Sequence, residues 1–127
     1  IILMGDKGDV EFCEAVASKM SRRPVIAAGE TTLGRSAALM DRCRFLVMND
    51  GGAMHIAAAL GVVPVVIFGP VDEKVYGPFP TEDQVVVKKG LPCQPCYRNF
   101  RMSDCQHMSC LRTLTVDEVY RKVEQLL

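Results

Sequence analysis

Between Asn49 and His55, "NDGGAMH", the chain places an acid, two glycines and a histidine, Asp50, Gly51, Gly52 and His55, within six residues. The apolar run Phe45 to Met48 precedes them and the small-residue run Ile56 to Gly61 follows. That order reads as a strand turning into a helix. Glycines in such a turn allow positive φ and let a ligand approach the main chain, while the first helical N–H groups have no partner within the helix. The combination is an anion site. His55, about one turn into the helix, is placed to donate a hydrogen bond to the same anion, and a phosphate there favours its protonated form. Asp50 would repel a phosphate, so it is expected to accept from a sugar hydroxyl or to hold the turn's own N–H groups. The plainer alternative is a tight turn in which Asp50 caps the helix and His55 is a surface residue.

Two other groups of residues invite chemistry. Gly29 to Ser36, "GETTLGRS", nearly matches the phosphate loop G-x-x-x-x-G-K-[ST], but Arg35 stands where lysine is required. A planar guanidinium does not replace a compact ammonium between two phosphates, and a plain strand-to-helix turn is the expectation. Four of the six cysteines, Cys93, Cys96, Cys105 and Cys110, crowd into eighteen residues. Cys93 and Cys96 have zinc spacing, with His107 as a spare ligand, whereas the second pair is looser and Pro95 stiffens the first. Ordinary buried thiols are expected ahead of a metal site or disulfides, both of which stay open.

The elements that must carry these residues follow from hydrophobic period. Strands are expected at Ile1 to Met4, Val25 to Ala28, Phe45 to Met48, Val62 to Phe68 and Val85 to Val87. Helices are expected over Val10 to Met20, with Phe12, Ala15, Val16 and Met20 on one stripe, from Leu33 through Ala37 to Met40 after a cap at Thr31 or Thr32, and over Ala53 to Leu60, ended by Gly61. Continuous apolar strands separated by helices predict an α/β fold with a Rossmann-like doubly wound parallel sheet. Ligands bind such sheets beyond the carboxyl ends of the strands. Gly69 to Pro80, "GPVDEKVYGPFP", is therefore a loop on the ligand-binding edge. Periodicity lapses from Leu91 to Leu111, then a capping box at Thr115 and Glu118 opens a C-terminal helix with Val116, Val119, Tyr120, Val123 and Leu127 on its apolar stripe.

At 127 residues and 49% hydrophobic content, the chain suits one domain, 1–127, with its own core. Fifteen basic residues balance fifteen acidic ones, which argues against nucleic acid as a partner. The lack of a membrane-spanning run or a signal peptide predicts a soluble, cytoplasmic protein. The opening "IILMG" is a strand pattern without an initiating Met, which suggests a fragment with more sequence upstream.

In order along the chain, "NDGGAMHIAAALGVVPVVIFGPVDEKVYGPFP", "CQPCYRNF" and "CLRTLTVDEV" resemble the C-terminal half of glycosyltransferase family 9, the ADP-heptose:lipopolysaccharide heptosyltransferases. The resemblance runs from about Val25 to the C-terminus. It implies the C-terminal, donor-binding half of a GT-B fold. Asp50, Gly51, Gly52 and His55 would meet the donor phosphates, Gly69 and Pro70 would line the site, and the loops near Gly5 and Gly29 would lie along the nucleotide. The implied reaction is inverting and uses no cofactor or metal. ADP-heptose or a related nucleotide sugar is the substrate, and the lipopolysaccharide core is the acceptor through an N-terminal domain that also supplies the catalytic base. Peripheral membrane contact of the full-length enzyme is compatible with that acceptor. The family usually carries Thr or Ser where Gly51 stands and often Thr where Val71 stands, so two phosphate-binding hydroxyls are replaced here. Other readings are a GT-B nucleotide-sugar epimerase, which usually carries Glu where His55 stands, and a non-enzymatic nucleotide-binding domain.

Overall fold

The computed structural model describes residues 1–79 and 84–127. They form two compact units, Ile1–Leu39 and Met40–Leu127. In the first, β1 (Ile2–Leu3) and β2 (Val25–Ile26) pair in parallel, Ile2 opposite Val25 and Leu3 opposite Ile26. The ladder runs on past the strands, because the Gly29 N–H donates to the Gly5 carbonyl at 3.1 Å. Asp6 starts a short 3-10 turn by accepting from the Gly8 N–H at 2.6 Å, and α1 (Val10–Ala17) follows.

Helix α1 buries a different face from the expected one. Cys13 is buried with Val10 and Ala17 half-buried beside it, whereas Phe12 is 75% exposed and Val16 is exposed as well. The run carries apolar residues on two faces, so its period alone admits two stripes, and packing against β2 selects the one through Cys13. The helix also stops at Ala17, short of Met20. Helix α2 (Leu33–Met40) reaches the boundary of the unit.

The second unit is built on a three-stranded parallel sheet in the order β3 (Phe45–Asn49), β4 (Val63–Ile67), β5 (Val85–Val87). Its register sets Phe45 opposite Val63, Asn49 opposite Ile67 and Val65 opposite Val85. β4 lies in the middle with Pro64, Val65 and Val66 buried, as expected of a continuous apolar strand covered on both faces. Helix α3 (Gly52–Ala59) packs on β3 and β4, and its Met54 forms a buried cluster with Val66 and Phe68. The chain leaves α3 through Gly61 in the left-handed region, φ 71°, where glycine carries no Cβ penalty.

The loop expected from Gly69 to Pro80 holds one turn of helix, α4 (Glu73–Tyr76), and Pro80 lies outside the described residues. Across the expected aperiodic stretch, β6 (Tyr97–Arg98) and β7 (Arg101–Met102) form an antiparallel hairpin. Its two turn residues, Asn99 and Phe100, have φ of 50° and 59°, the left-handed values a two-residue hairpin turn needs. Helix α5 (Ser109–Arg112) follows, and then α6 (Val116–Glu124). The predicted capping box is present: Thr115 Oγ1 accepts from the Glu118 N–H, and the Thr115 N–H donates to Glu118 Oε2 at 2.8 Å. Helix α6 packs on β5 and β4 with Val119, Val123 and Leu126 half-buried, while Val116, Tyr120 and Leu127 are exposed. The buried stripe is thus narrower than the apolar one. No helix among the described residues is long and apolar enough to cross a membrane.

Candidate functional site

Parallel pairing brings the ends of β3 and β4 to one edge, with the Asp50 N–H continuing the ladder to the Ile67 carbonyl at 3.3 Å. From there the chain enters α3 directly, with Gly51 as N-cap and Gly52 as the first helical residue. Neither glycine adopts the left-handed conformation. Gly51 is extended, φ 162° and ψ −177°, which corrects the conformational reason for the pair. What glycine supplies is space, since a Cβ at either position would meet nothing within 4 Å.

Among the described residues no side chain caps α3, so Asp50 is not the cap of the plainer reading. The Met54 N–H donates to the Gly51 carbonyl at 3.2 Å, which leaves the Gly52 and Ala53 N–H groups as the open donors of the first turn. His55 is exposed on that turn and Asp50 half-buried before it. Two N–H groups without a partner among the described residues and the helix dipole thus lie at the carboxyl edge of a parallel sheet, with His55 exposed on the same turn. That set can hold a diphosphate.

Gly69 and Pro70 reach the same edge from β4, but both are buried. The Gly69 carbonyl accepts from Gln94 Nε2 at 2.7 Å, and the Pro70 carbonyl accepts from the Cys96 and Tyr97 N–H groups at 2.9 Å each. A Cβ at Gly69 would come within 3.2 Å of the Leu111 side chain. Val71, where the family often carries Thr, packs against the Met54, Val66 and Phe68 cluster, so its methyl groups belong to the core. Asp72 caps α4 by accepting from the Lys74 N–H at 2.9 Å. Behind it, Glu73 pairs with Lys88, whose ammonium holds the Glu73 carboxyl below its ordinary range.

The near-match to a phosphate loop does not form one. Helix α2 begins at Leu33, so Gly34 and Arg35 lie inside it and no wide loop precedes the helix. The Ser36 hydroxyl pairs with that of Thr31 at 2.7 Å, and the Arg35 N–H donates to Thr32 Oγ1. Of the clustered cysteines Cys110 is buried, as expected of ordinary buried thiols, whereas Cys96 and Cys105 are half-buried and Cys93 is exposed, which corrects that expectation for these three. Burial pushes the Cys110 thiol up, with smaller contributions from the charges of Cys96 and Cys105. Among the described residues, no group of three or more His, Cys, Asp or Glu is arranged to hold a metal ion.

Gln94 was missed by the sequence reasoning. Nothing in "CQPC" marks a glutamine as the partner of a carbonyl 25 residues away.

The model of glycosyltransferase family 9 (heptosyltransferase) matches residues 1–107. Lipooligosaccharide heptosyltransferase 2 of Campylobacter jejuni is 25% identical over 130 residues, an alignment spanning all of this chain and 40% of that protein. The protein of the same name in Haemophilus ducreyi is 31% identical over 133 residues, again across the whole chain and 38% of the relative. The chain therefore spans about two fifths of the length of these curated relatives. Among solved structures, Escherichia coli ADP-heptose lps heptosyltransferase II superposes on 98% of the chain with a TM-score of 0.76 at 23% identity, covering 35% of that structure. A family 9 glycosyl transferase from Veillonella parvula superposes on 67% of the chain, and on 24% of its own, with a TM-score of 0.62 at 35% identity. These likenesses agree with the Rossmann-like α/β architecture of a GT-B half. With its family model matched along most of its length, this chain belongs to glycosyltransferase family 9, the heptosyltransferases.

Proposed function

We propose that this chain is the donor-binding part of an inverting glycosyltransferase that moves a heptose from ADP-heptose to the lipopolysaccharide inner core. The observation that carries the reading is the uncapped start of α3, with Gly51 and Gly52 open to space and His55 exposed on the first turn. The donor diphosphate sits on the Gly52 and Ala53 N–H groups with His55 beside it, and Asp50 accepts from a sugar hydroxyl. ADP-heptose is a substrate here, and the reading calls for no cofactor.

In the reaction a base takes the proton of an acceptor hydroxyl, whose oxygen attacks the anomeric carbon. The bond from that carbon to the diphosphate oxygen breaks, and ADP leaves. The helix N-terminus and His55 stabilise the charge growing on ADP, an effect typically worth about 2.7–4 kcal/mol for one well-placed donor. We assign the base and the acceptor site to sequence outside this chain, and place the enzyme in the cytoplasm.

The test is a titration with ADP followed by NMR. The amides of Gly51, Gly52 and Ala53 should shift first and without magnesium. Shifts confined to Gly29 to Ser36 and dependent on magnesium would reject the reading in favour of a phosphate loop.

A further inference from the structure

The cysteine-rich segment bonds to Gly69 and Pro70 through the Gln94 side chain and the Cys96 and Tyr97 N–H groups. Gln94 is half-buried and uses both ends of its carboxamide. Its Oε1 accepts from the Leu91 N–H at 2.8 Å, and its Nε2 donates to the Gly69 carbonyl at 2.7 Å. The two partners need opposite ends of the amide, so its orientation is determined. Its own N–H donates to the Leu91 carbonyl at 2.9 Å, which makes a closed turn of residues 91–94. The side chain is thus anchored at its base before it reaches across to β4.

Gly69 occupies a sensitive place. It follows the strand that is hydrogen-bonded to β3, and Val71, two residues on, packs against the buried cluster of Met54, Val66 and Phe68. A change in the direction of the Gly69 carbonyl would thus be felt at this cluster through Val71, and Met54 of the cluster belongs to the helix whose first turn carries the open N–H groups. Pro70 is gripped by two main-chain donors that no side-chain substitution removes. At Gly69 the grip is one side chain.

We infer that Gln94 is a positioning residue for the nucleotide-sugar site: it sets donor affinity through the Gly69 carbonyl without touching the donor. The inference rests on the donor-site reading above. Gln94→Glu sets a carboxylate oxygen against the Gly69 carbonyl, and Gln94→Met keeps the length while removing both hydrogen bonds.

The experiment compares Gln94→Glu, Gln94→Met, Arg98→Ala and His55→Ala in the whole protein, measuring the Kd of ADP, KM and kcat for the nucleotide sugar, and Tm. Arg98→Ala is the control, since it removes a hydrogen bond to Pro95 within the same segment and nothing at Gly69. Both Gln94 variants should raise the Kd of ADP and the KM of the donor about tenfold, which is about 1.4 kcal/mol, leave kcat within roughly twofold, and leave the Arg98→Ala values at wild type. Normal donor affinity in both Gln94 variants, beside weakened binding in His55→Ala, overturns the inference and leaves the site reading standing. A lowered Tm with normal affinity in the folded fraction also overturns it, because Gln94 would then be structural alone. Unchanged ADP binding in His55→Ala as well rejects the site reading itself, and the inference falls with it.

Discussion

After β2, the turn into α2 uses its hydroxyls on itself, Thr31 pairing with Ser36 at 2.7 Å and Thr32 accepting from the Arg35 N–H. After β3, the turn into α3 has no capping side chain, and its glycines face open space. Both are glycine-containing turns from a parallel strand into an eight-residue helix. Of the two, the first looks more like a known phosphate motif in sequence, yet it has a hydroxyl cap, whereas no side-chain cap closes the second among the described residues. A capping side chain takes one of the N–H groups that an anion would use and occupies the space beside them, so the absence of a cap is the informative feature.

The largest effect concerns how far the open turn can go alone. On the proposed donor-site reading it would stabilise a leaving diphosphate but position no acceptor, and that positioning is worth up to roughly 7–11 kcal/mol. This chain by itself should therefore transfer no sugar at saturating donor and acceptor, and should regain activity when the acceptor-binding half is supplied. Robust transfer by the chain alone, abolished by Asp50→Asn, would place the base in this domain.

Next in size is Gly51→Asp, which gives the second turn the cap it lacks. A carboxylate there satisfies the helix and repels phosphate, so ADP affinity should fall by roughly 2–3 kcal/mol, within the range for like charges near a protein surface. Folding stability should move only by a few tenths of a kcal/mol, as for other exchanges of glycine with good caps. Calorimetry and a melting curve on one sample read both numbers, and undiminished ADP binding would sink the distinction drawn between the turns. On the same reading His55→Ala should remove one charge-assisted hydrogen bond, about 1.5–3 kcal/mol of ADP affinity, and leave the melting temperature alone because the ring is exposed and without a hydrogen-bond partner among the described residues.

The first turn should show the reverse pattern. Ser36→Ala breaks the hydroxyl pair and should cost about 1 kcal/mol of stability or less, with no change in ADP affinity and no magnesium dependence. A tenfold loss of nucleotide binding would mean that Ser36 serves a ligand after all.

The smallest effect lies away from both turns, at the foot of α6. Lys89 donates to Glu118 at 2.8 Å and, with the Thr115 contacts, lowers the Glu118 carboxyl from 4.5 to about 2. A carboxyl depressed in the folded state adds stability that is complete above its unfolded pKa and is lost as pH falls through the folded value. The loss should thus fall between about 4.5 and about 2. It should be small, since the pair is solvent-accessible. Lys89→Ala should flatten the acid limb of a stability curve in that window, and an unchanged limb would show that the pair contributes nothing.

Several elements were legible because their signals are local. The β3–α3 turn lies between an apolar run and small residues, Gly61 ends α3 where a glycine was expected to, and the Thr115–Glu118 box caps α6. Other features were hidden for identifiable reasons. The hairpin of β6 and β7 has two-residue strands, too short to show a period. Apolar residues on two faces of α1 left its buried side undecided, and the structure chose the face of Cys13 over that of Phe12. Asp72 carries the same charge as Asp50, yet it caps α4 while Asp50 caps nothing.

By itself, the sequence determined the alternation of strands and helices, the family, and the residues that stand at the ends of β3 and β4. These follow from period, turn chemistry and motif spacing, which are properties of neighbours along the chain. Only the tertiary structure decided which N–H groups are left free, that Gly51 is extended, that Val71 belongs to the core, and that the Gly69 carbonyl answers to Gln94. Each of these depends on whether a second group arrives from elsewhere in the fold within hydrogen-bond or van der Waals reach. No local pattern encodes that arrival, because a donor 25 residues away leaves no trace in the sequence around its acceptor.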